Sequence, residues 1–108
     1  MVYPLPNDNI ITLYTKNNCN YCTAAKNLLI KNNIKHEIIN CDIFLSENRD
    51  KLVDFLTKTA KTEIKTFPVI FNNKNYIGGY TELKEKHEKT PDAFIHSSVD
   101  VLDFDSIF

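Results

Sequence analysis

Short apolar runs and longer stretches of helical spacing alternate along this 108-residue chain. Residues 10–15 (Ile-Ile-Thr-Leu-Tyr-Thr) are rich in β-branched and aromatic side chains, which predicts a short, largely buried strand. Over 21–32 the apolar positions Cys22, Ala25, Leu28 and Leu29 recur at helical spacing. Lys26, Asn27 and Lys31 fall off that face, and Asn32-Asn33 closes the helix. Residues 35–40 predict a second strand, and strand, helix, strand with short connections makes a right-handed parallel unit. Ser46 opens a second predicted helix, with Ser-Glu-Asn-Arg offering a hydroxyl cap and Leu52, Val53, Phe55 and Leu56 a buried face up to about Thr59. A polar connection at 61–65 leads to a third strand over 66–71, with Pro68 near its start. A fourth at 75–77 is joined to it as a hairpin across 72–74. Gly78 and Gly79, the only two glycines, precede a third helix over 80–88. Thr90 as cap and Pro91 at the first helical position predict a short last helix to about Ser97.

The ends carry no assigned chemistry. Pro4, Pro6 and Asn7-Asp8-Asn9 make residues 1–9 an extended arm ending in a turn. Residues 98–108 alternate acids with apolar side chains and read as a packed or frayed tail. The whole of 1–108 is expected to be a single domain with its core at about 10–97.

Composition narrows the class. With 43% hydrophobic and 25% charged residues, 2 Gly and 4 Pro, the chain has ordinary globular usage. A formal charge of -1 gives no global electrostatic case for nucleic acid. Residues 1–15 lack a basic segment followed by an apolar core, and no apolar run approaches the roughly 20 residues of a membrane span. A cytoplasmic protein is therefore expected. Three cysteines cannot all pair internally, and a reducing compartment disfavours structural disulfides, so a Cys-x-x-Cys pair points to redox or metal chemistry. His36, His87 and His96 share no metal-ligand spacing and no second cysteine pair exists, which argues against structural zinc. Cys41 reads as a buried structural thiol.

The pair is Cys19 and Cys22, set between the first strand and the first helix. About 3.6 residues per turn puts positions three apart on one helix face, so a cysteine at the helix start has the other within disulfide reach. Free N–H groups at that end favour a thiolate, which makes Cys19 the expected nucleophile. Lys16 adds a cation near the same sulfur or near an anionic ligand bound against it.

Lys16-x-x-Cys19-x-Tyr21-Cys22, Thr66-x-Pro68-x-Ile70-Phe71 and the stretch Ile77-Gly78-Gly79-Tyr80-Thr81-Glu82-Leu83 follow one another at domain-scale spacing. Together they resemble the signature stretches of dithiol glutaredoxins, a branch of the thioredoxin-like superfamily, from residue 10 to about 88. The resemblance implies an α/β thioredoxin-like fold, a central mixed four-stranded sheet flanked by helices. It implies a glutathione-dependent thiol-disulfide oxidoreductase that reduces protein disulfides and protein-glutathione mixed disulfides, with Cys19 attacking and Cys22 resolving. Glutathione is then co-substrate, disulfide-containing or glutathionylated proteins are partners, no metal is required, and a monomer is expected.

The same resemblance implies a ligand site. Lys16 faces the glycyl carboxylate with Lys58 as helper, Tyr21 borders the groove, and the backbone of Phe67, beside Thr66, pairs in β-fashion with the ligand cysteine, which requires Pro68 to be cis. Gly79, Tyr80 and Thr81 start a helix whose N–H groups hold the γ-glutamyl carboxylate, and Glu82 meets the amine. Three positions depart from the family pattern. Asn20 stands where proline is usual and loosens the loop, Phe67 puts more bulk beside the ligand than the usual valine, and Glu82 reaches one methylene further than the commoner Asp. Asn20 also keeps a second reading open, a carrier in which two copies hold an iron-sulfur cluster through Cys19 and glutathione sulfur. A third, thioredoxin-like use of a flavoenzyme reductase is opposed by the Gly-Gly-Tyr-Thr stretch.

Overall fold

In the computed structural model, which describes residues 3–90, strand β1 (Ile11–Thr15) is buried at all 5 positions. It lies between β2 (His36–Asn40), parallel to it, and β3 (Val69–Asn72), antiparallel to it. Strand β4 (Asn75–Gly78) pairs antiparallel on the far side of β3, for the order β2-β1-β3-β4. Successive side chains of a strand point to opposite faces. Accordingly Ile11, Leu13 and Ile70 join Ala25 and Leu29 of helix α1 (Asn20–Lys31) and Leu83 of helix α3 (Tyr80–Lys89) in one cluster. Tyr14, Val69 and Phe71 join Leu52 and Leu56 of helix α2 (Asp42–Ala60) in another. The expected mixed sheet flanked by helices is present. No helix of the described residues is long and apolar enough to cross a membrane. Of the last helix expected from its Thr90 cap to about 97, only Thr90 is described, at the end of α3 with its N–H donating to Lys86 O at 2.8 Å; residues 91–97 and the tail at 98–108 lie outside the described residues.

Helix α1 ends where the asparagine pair predicts. Asn33 takes a left-handed φ of 55°, the Asn33 N–H donates to Ile30 O at 3.2 Å and the Ile34 N–H to Leu29 O at 2.9 Å. These are the two bonds that close a helix through a left-handed residue, and Ile34 packs in the cluster that holds Leu29.

Helix α2 departs from the expected start at Ser46. It begins at Asp42 and is interrupted at Asn48, whose φ of −161° and ψ of 90° are extended. The Asn48 Oδ1 accepts the Lys51 N–H at 3.0 Å, so the asparagine two residues after the expected serine caps the longer segment. The short segment ahead of it carries Phe44 and Leu45 against the core.

Strand β3 also starts later than expected, at Val69 rather than Thr66. Thr66, Phe67 and Pro68 form a loop in which the Phe67–Pro68 bond is cis. Asn73 and Lys74 both have positive φ, 52° and 73°, which makes the hairpin a two-residue turn matched to strand twist. The arm before β1 is not idle either. Tyr3 is buried against Phe44 and Phe55, with ring centroids 5.0 and 5.1 Å away, and Tyr14 donates its hydroxyl to Pro4 O at 2.6 Å.

Candidate thiol site at the start of helix α1

Cys19 is the cap residue of α1, in extended conformation, and its Sγ accepts the Cys22 N–H at 3.2 Å. The helix end thus aims one of its unpaired N–H groups at the sulfur. Asn18 before it has a left-handed φ of 56°, which turns the chain out of the loop and into the helix. Cys19 is half-buried, whereas Cys22 is 1% exposed, and the two are unbridged. Burial pushes the Cys22 thiol up to about 12, with the hydrogen bond to Cys19 adding to it. The Lys16 backbone amide and the Lys26 charge oppose the shift. Cys41 is fully buried as expected of a structural thiol, its Sγ directed at Ile39 O at 3.7 Å. Burial and then the Asp42 charge raise it to about 12.

The Cys19 sulfur also meets the Phe67 carbonyl oxygen at 3.7 Å. Phe67 and its neighbours Thr66 and Pro68 line a groove of about 280 Å³, together with Tyr21 from α1 and Gly79, Tyr80, Thr81 and Glu82 from the start of α3. Eight of the residues expected around a ligand therefore converge beside the nucleophile. Tyr21, 64% exposed, stacks on Tyr80 with ring centroids 6.2 Å apart, so the pair bridges the starts of α1 and α3. Phe67 is nearly buried and packs with the core cluster on the α2 side, so much of the bulk expected beside a ligand turns inward.

Two arrangements differ from the expected picture. The Glu82 carboxylate accepts the Gly79 N–H at 2.8 Å, so the acid itself occupies one of the donors at the start of α3 and leaves Tyr80 and Thr81 to offer theirs. Gly78 makes this possible: with φ at +135°, a Cβ there would lie 2.6 Å from Glu82 Cγ. The two cations do not line the groove. Lys58 pairs with Asp54 at 3.1 Å, one turn earlier on α2, and Lys16 is in no ion pair among the described residues.

The sequence reading missed the residues that hold the loop ahead of Cys19. The Asn17 N–H donates to Asp42 Oδ1 at 2.9 Å, the Asn40 side-chain amide donates to Asn17 Oδ1 at 3.0 Å, and the Asp42 N–H donates to Asn40 Oδ1 at 2.9 Å. The one signal available was an acid following the second strand, where a helix start welcomes it. Among the described residues no three His, Cys, Asp or Glu side chains converge as a metal site.

The glutaredoxin family model matches residues 11–77. The chain belongs to the glutaredoxin family. Glutaredoxin-2, mitochondrial, of Homo sapiens is 33% identical over 82 residues, which cover 76% of this chain and 48% of that protein. Glutaredoxin-1 of Variola virus is 35% identical over 98 residues, 88% of this chain and 87% of the viral protein. The chain spans about half the length of the mitochondrial relatives it matches. Glutaredoxin 1 from Francisella tularensis, complexed with cacodylate, superposes with a TM-score of 0.67 at 33% identity, over 76% of this chain and 95% of that one. A buckwheat glutaredoxin–glutathione complex gives 0.63 at 25% identity, over 75% and 70%. The fold is thus thioredoxin-like, as these glutaredoxin structures are.

Proposed function

We propose that this chain is a glutathione-dependent thiol-disulfide oxidoreductase acting on protein-glutathione mixed disulfides and protein disulfides. The observation that carries the reading is the position of the Cys19 sulfur, capped by a helix N–H and 3.7 Å from the backbone of the Phe67–Pro68 loop that walls the groove. Glutathione has two carboxylates, an amine and a thiol, and a family member crystallised with it is similar in fold. In this reading its cysteine lies along Phe67, its γ-glutamyl carboxylate meets the Tyr80 and Thr81 N–H groups and the Thr81 hydroxyl, and its amine meets the Glu82 carboxylate. Lys16, with Lys58 if it leaves Asp54, serves the glycyl end.

The chemistry follows from thiolate exchange. Cys19 sulfur attacks the glutathionyl sulfur of a mixed disulfide, the protein thiolate leaves and takes a proton, and Cys19 holds glutathione in disulfide linkage. A second glutathione thiolate attacks that linkage, releasing oxidised glutathione and returning Cys19. With a protein disulfide, Cys19 forms the mixed disulfide and Cys22, as thiolate, displaces the protein and closes Cys19–Cys22. Two glutathiones then reopen the pair and leave as oxidised glutathione. We further propose that the chain works as a monomer in the cytoplasm, with no metal needed.

A coupled assay with a glutathione mixed disulfide, in which oxidised glutathione is followed, tests the reading. Turnover that requires both glutathione and Cys19 is expected. Protein that purifies anaerobically as a brown dimer without reductase activity overturns it in favour of cluster carriage, and equal turnover without glutathione overturns its choice of reductant.

A further inference from the structure

Lys16, Asn17 and Asn18 join β1 to the cap of α1 without regular structure of their own. On this short loop depend both the direction of the Lys16 side chain and the seat of the Cys19 sulfur. The segment is tied from the other side of the neighbouring strand connection. Thr15 stands opposite Asn40 in the parallel β1–β2 register, and the Cys41 N–H donates to Thr15 O at 2.7 Å, which brings the end of β2 beside the loop. There the three hydrogen bonds among Asn17, Asn40 and Asp42 close a ring in which each residue gives one and takes one.

All three bonds are exposed to solvent, so water competes for them and their joint contribution to global stability is small. What the ring does fix is position. The Asn17 N–H is backbone, so its bond to Asp42 pins the main chain between Lys16 and Cys19, and the carboxylate acceptor makes that bond charge-assisted. We propose that Asp42 is a positioning residue of the thiol site, holding the 16–18 loop through Asn17 and Asn40 so that Lys16 and the Cys19 sulfur keep a fixed separation. Asp42 touches no reacting atom. The inference rests on the glutathione-dependent reading for its kinetic consequence, but not for its structural one.

The test compares Asp42→Ala with Asp42→Asn in the full chain, because the amide oxygen of asparagine can accept the same N–H while alanine cannot. With a glutathione mixed disulfide as substrate, Asp42→Ala is expected to lose about three- to tenfold in kcat/KM, chiefly through KM for glutathione, while Asp42→Asn stays within about twofold. The urea midpoints of both variants are expected to stay near that of the parent chain. In a Lys16→Ala background most of the Asp42→Ala loss is expected to vanish, because the two act through one loop. A second reading needs no glutathione: Cys22 and Cys41 are buried, so iodoacetamide at neutral pH reports Cys19, and alkylation slows in Asp42→Ala and recovers in Asp42→Asn. The inference is overturned if Asp42→Ala alkylates and turns over like the parent, or if Asp42→Asn is impaired as deeply as Asp42→Ala. A parent chain inert toward the mixed disulfide sinks the functional reading instead, and the alkylation comparison still decides the role of Asp42.

Discussion

Cys19 caps α1 and Cys22 lies in its first turn, yet the Cys19 sulfur is half-buried beside the Phe67 carbonyl of the groove wall while Cys22 is buried in the core. Burial, with the hydrogen bond to Cys19 adding to it, raises the Cys22 thiol well above its ordinary value and favours its protonated form at neutral pH. On the proposed reading, a residue so protonated does not compete for the first attack and serves as the resolving nucleophile once Cys19 is tied up in a mixed disulfide beside it. Cys19→Ser is therefore expected to abolish turnover of both substrate classes. Cys22→Ser is expected to keep deglutathionylation and lose reduction of a protein disulfide. Loss of both activities in Cys22→Ser would refute this division of labour. The two glycines make a second contrast at this scale. Gly78→Ala places a Cβ 2.6 Å from Glu82 Cγ at a φ of +135°, and a cost of about 1–3 kcal/mol in urea denaturation is expected. Gly79→Ala, with φ at −100° and no neighbour closer than 3.6 Å, is expected to stay within about 0.5 kcal/mol of the parent. Equal effects would mean that the Glu82 contact does not shape the start of α3.

Among the elements, α2 is where local rules competed. Ser46 and Asn48 both suit a cap, and periodicity cannot choose between them, because the apolar face of Leu52 and Leu56 begins after either. The structure chooses Asn48, whose Oδ1 reaches the Lys51 N–H, and carries helix on the other side of it back to Asp42. Asn48→Ala is expected to lose about 0.5–2 kcal/mol by urea denaturation and Ser46→Ala less than about 0.5. The reverse order would show that serine is the working cap. The remaining elements were legible because each follows one signal: buried β-branched residues for β1, helical spacing closed by Asn32-Asn33 for α1, a turn of positive-φ residues between β3 and β4. The cysteine pair was legible from spacing for the same reason. The groove was not, since Tyr21, Thr66–Pro68 and Gly79–Glu82 come from three distant segments, and only the resemblance to a known family put them together. The Asn17–Asn40–Asp42 ring escaped even that, because it depends on which residue of β1 faces which residue of β2.

Over the whole molecule, the core on the α2 side encloses acids kept in their protonated form. Cys22 and Cys41 are each raised to about 12 from an ordinary value of 9.0, in both cases chiefly by burial. Tyr14, whose hydroxyl donates to Pro4 O beneath the docked Tyr3 arm, is raised as well, by burial first and then by the charges of Cys41 and Glu37. An unfolded chain gives up its thiol protons as pH passes 9, while the folded chain holds them until about 12. In that window the folded state binds more protons than the unfolded one, so stability falls as pH rises and is unaffected below it. Each thiol contributes a slope of at most about 1.4 kcal/mol per pH unit. Urea denaturation under reducing conditions is therefore expected to give a midpoint that declines progressively more steeply as pH rises through about 9. Cys41→Ala lowers stability throughout by removing packed volume, but the diagnostic quantity is the slope, which should become shallower between pH 9 and 10 because one of the two raised thiols is gone. An unchanged slope in Cys41→Ala would mean that Cys41 deprotonates in the folded chain as readily as in the unfolded one, which a thiol of zero exposure should not do.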